Sequence, residues 1–218
     1  MIAVVVGMHS EARLLSGSRV VCSGGIPARA RELADQLLAD GAEGLVSFGI
    51  AGGLAPGLST GRLVVGSAVA LGAELIPADP DWCRRLAQAL PQAMSGVVAG
   101  AGEVAATPQA KQSLHRRAGA LAVDLESGPV AEACRQAGKR FAVLRAVADP
   151  PGRAIPALAM AGLGPDGRTR PWAVAAGLLR RPQELPALIR LGSETNVALR
   201  ALSAAAECLG PALGFNLL

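Results

Sequence analysis

The sequence contains no tyrosine, and its only aromatic residues are Phe48, Phe141, Phe215, Trp82 and Trp172. So few rings argue against stacking on single-stranded nucleic acid, and they leave the core to be packed from Ala, Val and Leu. Histidine is almost missing, with only His9 and His115. Cys22, Cys83, Cys134 and Cys208 lie far apart, and no Cys-x-x-Cys occurs. A metal site is therefore not expected, nor is a disulfide framework. The cysteines read as small hydrophobes in a reducing cytosol. Lysine is scarce beside arginine, which reads as coding bias. Met1 to Arg13 has no basic leader and too short an apolar run for a signal peptide. The longest uncharged stretch, Gly44 to Gly61, is interrupted by glycines and Pro56, unlike a membrane helix. A soluble cytoplasmic protein is the expectation.

What is present is a chain of 218 residues, enough for one domain with a sizeable core. Charge is uneven: residues 135–200 carry a balance of +7 within a chain of net +4. That region is either a solvated basic face or a surface suited to anionic headgroups. Short β-branched runs (Ile2–Val6, Ser18–Gly24, Leu45–Phe48, Ser95–Gly100, Ala120–Glu126, Arg140–Asp149) alternate with helical stretches (Pro27–Asp40, Asp81–Leu90, Thr107–Arg117, Val130–Ala137). Arg62–Leu71 reads as a pair of extended segments around Gly66. The pattern predicts a single α/β domain over residues 1–218, with a mixed, mostly parallel central sheet flanked by helices in three layers. Residues 150–218 form a divergent segment rich in Pro, Ala and Arg. It opens as a long Pro/Gly connection, as lids and binding loops do, and turns helical from Trp172, with a break at Pro182 and Pro186.

Ser47–Gly61, "SFGIAGGLAPGLSTG", places five glycines directly after a buried strand. Bare backbone there lets the chain turn tightly or lets a ligand approach. The stretch lacks the Gly-Lys-Ser/Thr of a phosphate loop. Acids stand at the ends of other strands: Glu11, Asp124 with Glu126, and Asp149. In a parallel sheet such ends share one crevice. Carboxylates beside bare backbone suit a hydroxyl-rich ligand, since buried acids need a donor, a ligand or a raised pKa. Taken singly, each acid is equally compatible with a helix cap, a dipole charge or a turn.

The motifs "GIAGGL", "VDLES" and "LRAVAD", in this order and spacing, resemble the nucleoside phosphorylase and nucleosidase superfamily, which includes the methylthioadenosine and S-adenosylhomocysteine nucleosidases. "FGIAGGLAPGL", "ATPQAKQSLH" and "LLRRPQELPALIRL" are similar to its hopanoid-associated phosphorylase branch. The resemblance implies N-glycosidic cleavage of a purine nucleoside. It places Asp149 at N7 of the departing adenine, Glu126 on the ribose hydroxyls and Glu11 as the acid that orients water. Gly49, Ile50, Gly52, Gly53 and Leu125 would line the ribose and base site, and backbone near Glu103 and Val104 would meet the adenine edge. It also implies a homodimer, no metal and no cofactor, with phosphate as an optional co-substrate.

This chain departs from the family at four places, one of them the Ser-Gly-Pro of Ser127–Pro129, which interrupts a junction that is usually more helical. Ile50 stands where a hydroxyl is usual, Ala148 where serine is usual, and Ser47 where phosphorylases carry an arginine. Ile50 and Ser47 weaken phosphate binding and Glu11 favours water, with His9, Arg13 or a partner subunit's arginine left as alternative anion sites. The branch implies release of adenine from adenosylhopane, a nucleoside with a large apolar 5′ substituent. The Pro151–Pro186 stretch, including Leu158, Met160, Leu163 and Trp172, would then form a channel or a peripheral membrane contact. Two alternatives stand beside this: a general methylthioadenosine/S-adenosylhomocysteine nucleosidase, and a non-catalytic nucleoside- or lipid-binding module.

Overall fold

The computed structural model describes residues 1–162 and 171–215. Eight strands form one mixed sheet: β1 (Ile2–Val6), β2 (Arg19–Cys22), β3 (Gly44–Gly53), β4 (Leu63–Leu71), β5 (Glu74–Pro77), β6 (Met94–Gly100), β7 (Ala122–Asp124) and β8 (Arg140–Asp149). β1 pairs in parallel with β2 and β3, β8 with β3, and β6 with β4 and β7. β4 runs antiparallel to both β5 and β8, and the end of β3 antiparallel to β7. β8 therefore lies between β3 and β4, at the centre. Its burial on both faces explains the nearly continuous apolar run in its sequence.

Helices cover both faces. α2 (Pro27–Ala39) and α5 (Ser127–Gln136) close one side over Val5, Leu45, Val143 and Val147. α3 (Pro80–Ala89) and the 25-residue α8 (Leu185–Leu209) close the other over Val6, Phe48, Leu144 and Ala148. Short α1 (His9–Ala12), α4 (Pro108–Ala118), α6 (Ala157–Ala161) and α7 (Pro171–Leu178) complete the chain. Trp82, fully buried, donates its indole N–H to the Leu213 carbonyl at 2.8 Å and meets Phe215 edge-on, fastening the C-terminal turn.

Three sequence expectations are corrected. The glycine stretch is strand as far as Gly53, because β8 and β7 pair with it; the loop starts only at Leu54. Arg62–Leu71 holds one strand with an irregular register between Gly66 and Ala68, and the unforeseen β5 forms a hairpin with it. Pro186 does not break the C-terminal helix: it sits in the first turn of α8, where its missing N–H is harmless. Ala198, Leu202, Ala205, Ala206 and Leu209 of α8 are buried, so the divergent segment supplies part of the core.

Candidate active site

β3 carries the site. Its ladder with β8 slips after Ala51, so that Gly52 faces Asp149 and Ala148 is passed over. Such a bulge re-aims the side chains beyond it. A Cβ on Gly52 would lie 3.2 Å from Asp149 Oδ2, and one on Gly49 would lie 2.5 Å from Glu11 Oε1 and 2.6 Å from Arg145 Nη1. The acids thus fall at two stations along one strand: Glu11 at Gly49, and Asp149 at Gly52.

Glu11 comes from the single turn of α1, just after β1. Its Oε2 accepts the backbone N–H groups of Gly7 and Met8 at 2.9 and 2.8 Å, and its Oε1 accepts that of Ile50 at 2.8 Å. Burial raises its pKa, opposed by the Arg145 cation and these three donors. Glu126 precedes α5. Its Oε1 accepts the Ser23 hydroxyl at 3.0 Å, and the carboxylate lies so close to Gly7 that a Cβ there would come within 2.8 Å of it. Burial pushes Glu126 up to about 7, with Arg145 opposing and the nearby Asp124 and Glu11 charges reinforcing.

Arg145, fully buried in the middle of β8, joins these groups. Its Nη2 donates to Asp124 Oδ1 at 2.9 Å, to the Ser127 hydroxyl at 3.2 Å and to the Ser47 hydroxyl, and lies 3.7 Å from Glu126 Oε2. Asp124 also accepts the backbone N–H groups of Glu126 and Ser127 and the Ser127 hydroxyl. Its role is thus to fix the β7–α5 junction and to neutralise the guanidinium. Arg145 Nη1 and Nε are buried without a hydrogen-bond partner among the described residues. Nη1 and Glu11 Oε1 both crowd against Gly49. Burial is the main reason both glutamates titrate high; at Glu126 the neighbouring Asp124 and Glu11 charges add to it, and Arg145 opposes it at both.

Asp149 ends β8. Its carboxyl forms a buried ion pair with Lys111 of α4, whose ammonium also donates to the carbonyls of Pro150 at 3.0 Å and Arg153 at 2.9 Å. Burial raises the Asp149 pKa and the lysine opposes that rise. The fold brings Lys111 to this acid from 38 residues away in the chain.

The remaining expected residues divide. Ile50, whose N–H Glu11 accepts, and Leu125, between Asp124 and Glu126 in the chain, are half-buried, and Gly53 packs on Val147 and Pro151. Glu103 and Val104 instead border a cavity of about 690 Å³ with Gly100, Leu114 and Arg117, and none of Glu11, Glu126 and Asp149 lines it. Arg13 is exposed, so the buried guanidinium of the site is Arg145. Both missed residues left a trace. Arg145 is a lone charge in an apolar strand, and Lys111 falls on the i, i+3, i+7 row with Leu114 and Ala118.

Fold and site together define a three-layer α/β protein with a buried, arginine-centred cluster of acids at its central strands. Residues 3–160 match the family model described as "Phosphorylase superfamily", and the chain belongs to that superfamily. No curated protein matches the sequence. Among solved structures, the chain is similar to an S-adenosylhomocysteine nucleosidase from Streptococcus pyogenes in complex with 5-methylthiotubericidin. The TM-score is 0.74 and the identity 17%, over 100% of this chain and 97% of that one. It is also similar to a 5′-methylthioadenosine/S-adenosylhomocysteine nucleosidase from Neisseria meningitidis (TM-score 0.70, 16% identity, 95% and 97% covered). The corresponding enzyme from S. pneumoniae gives 0.70 and 16%, over 98% of each chain. At such identities the likeness is one of fold.

Proposed function

We propose that the protein hydrolyses the N-glycosidic bond of a purine nucleoside and releases adenine. The observation that carries this reading is the placing of the acids along β3: Glu11 and the Nη1 of Arg145, which has no partner among the described residues, meet at Gly49, and Asp149 lies at Gly52, three residues further on. Water attacks C1′ and gives a proton to Glu11, whose desolvated carboxylate is a stronger base than an exposed one. The C1′–N9 bond breaks and its electron pair passes to the purine, which Asp149 protonates. Glu126 accepts the ribose hydroxyls and steadies the positive charge that grows on the sugar. Phosphate is the poorer nucleophile here, because the buried cation already faces the carboxylates of Asp124, Glu126 and Glu11.

The substrate reading is adenosylhopane, cleaved to ribosylhopane by a homodimer in the cytoplasm. It rests on the motif resemblance and on the C-terminal segment. There Trp172, Leu179, Leu185 and Ile189 are exposed beside the exposed Arg180, Arg181 and Arg190, a mixture suited to a bilayer surface or to a lipid tail. Among the described residues no helix is long and apolar enough to cross a membrane. Of the residues expected to form the apolar channel, Leu158 is buried against Gly177, Met160 and Trp172 are exposed, and Leu163 lies outside the described residues.

The test is adenine release with and without phosphate, with the sugar product identified by mass, on adenosylhopane, methylthioadenosine and S-adenosylhomocysteine side by side. Free sugar formed without phosphate is expected, with adenosylhopane turned over fastest. A sugar 1-phosphate would overturn the water mechanism. Preference for the two small nucleosides would make the protein a general nucleosidase, and binding without adenine release would make it a binding module.

A further inference from the structure

Lys111 is the one fully buried residue of α4, on the face where Leu114 and Ala118 pack on the core, and none of its surface is exposed. Its three N–H bonds are matched by Asp149 Oδ2, the Pro150 carbonyl and the Arg153 carbonyl, with the Asp149 carbonyl at 3.4 Å as a fourth acceptor. A buried ammonium stands only with partners of this kind. Here those partners are the proposed general acid and the turn that follows it. Asp149 faces Lys111 from α4, and more distantly Glu194 of α8, which Arg153 binds at 2.8 Å. Lys111 is thus the cation in direct contact with the Asp149 carboxyl among the described residues.

The geometry points to Lys111 as a positioning residue of the cleavage reaction: its ammonium aims the Asp149 carboxyl across Gly52 and governs when that carboxyl carries the proton it gives to the purine. This rests on the proposed role of Asp149. The sign follows from charge alone. A neighbouring cation favours the ionised carboxylate, so removing it keeps Asp149 protonated to higher pH. A general acid must be protonated, so the alkaline fall in activity moves upward with it.

The experiment compares wild type with Lys111→Met and with Lys111→Gln, which keeps donors for the Pro150 and Arg153 carbonyls but no charge. Titration of the Asp149 carboxyl by ¹³C NMR reads the pairing without reference to turnover. Its midpoint is expected to rise by about one unit or more in both variants, while Lys111→Arg stays near wild type. The alkaline limb of kcat for adenine release is expected to rise by the same amount. An unchanged midpoint in the folded Gln variant would overturn the inference, as would a kcat that falls equally at every pH. A shifted midpoint in a protein that releases no adenine would retain the Lys111–Asp149 coupling and defeat the enzymatic reading instead. If Met unfolds the protein, the Gln variant decides.

Discussion

Arg145 and Asp124 form an ion pair of 2.9 Å with the arginine side chain wholly removed from solvent. The pair spans β8 and the end of β7, and it is the charge balance on which the glutamates of the cluster depend. Arg145→Met deletes the cation and leaves Asp124, Glu126 and Glu11 facing one another. Breaking a buried pair on one side typically costs about 3–5 kcal/mol. A lowered urea midpoint is expected, largest above neutral pH where the carboxylates ionise. A variant as stable as wild type would show that the cluster does not need its cation.

Gly49→Ala brings a Cβ within 2.5 Å of Glu11 Oε1 and 2.6 Å of Arg145 Nη1. The methyl group would push the Glu11 carboxylate and the Arg145 guanidinium out of place, and the φ of +156° at Gly49 strains an alanine there as well. Adenine release is expected to fall by about 100-fold or more, with KM changing much less. Gly57→Ala serves as the control, because nothing lies within 4 Å of a Cβ there; its positive φ costs some stability but leaves the cluster intact.

Glu11→Gln keeps the shape but cannot take a proton from water. A loss of about 10²–10⁴ in kcat is expected, with affinity for an adenosine analogue retained in calorimetry. Loss of binding and turnover together would move Glu11 from chemistry to structure.

Glu126 titrates at about 7 in the folded chain against an ordinary 4.5. Between those values the native state holds a proton that the unfolded chain has released, so stability falls as pH rises through this window and levels off above about 7. The slope approaches about 1.4 kcal/mol per pH unit for one such group. Glu11 and Asp149, also raised, act in the same direction. Urea unfolding at a series of pH values should show the decline, and Glu126→Gln should flatten it.

Much of this arrangement is readable before folding. Ile2–Val6, Arg140–Asp149 and the Pro-initiated helices declare themselves by period and caps, and Glu11, Glu126 and Asp149 stand at element ends where ligands gather. The partners of these acids are harder to read. Nothing local says that Lys111 meets Asp149, because the contact depends on how α4 docks beside the turn after β8. Arg145 hides inside an apolar strand, where a single charge looks like a surface residue of an edge. Even the reach of β3 through Gly53 is invisible locally: glycine weakens a strand, and only pairing with β7 and β8 sustains it.

Ala148, the residue the ladder skips, sets which face of the sheet the last acid of β8 takes. With it, β8 takes one additional step before Asp149, which emerges beside Gly52 of β3. Excise it, and strict alternation would swing the acid to the opposite side of the sheet, into the aliphatic layer around Phe48 and Ala146 where Ala148 now packs. The length of this strand, counted to the single residue, thus decides whether the terminal carboxyl meets a guest or is entombed in oil.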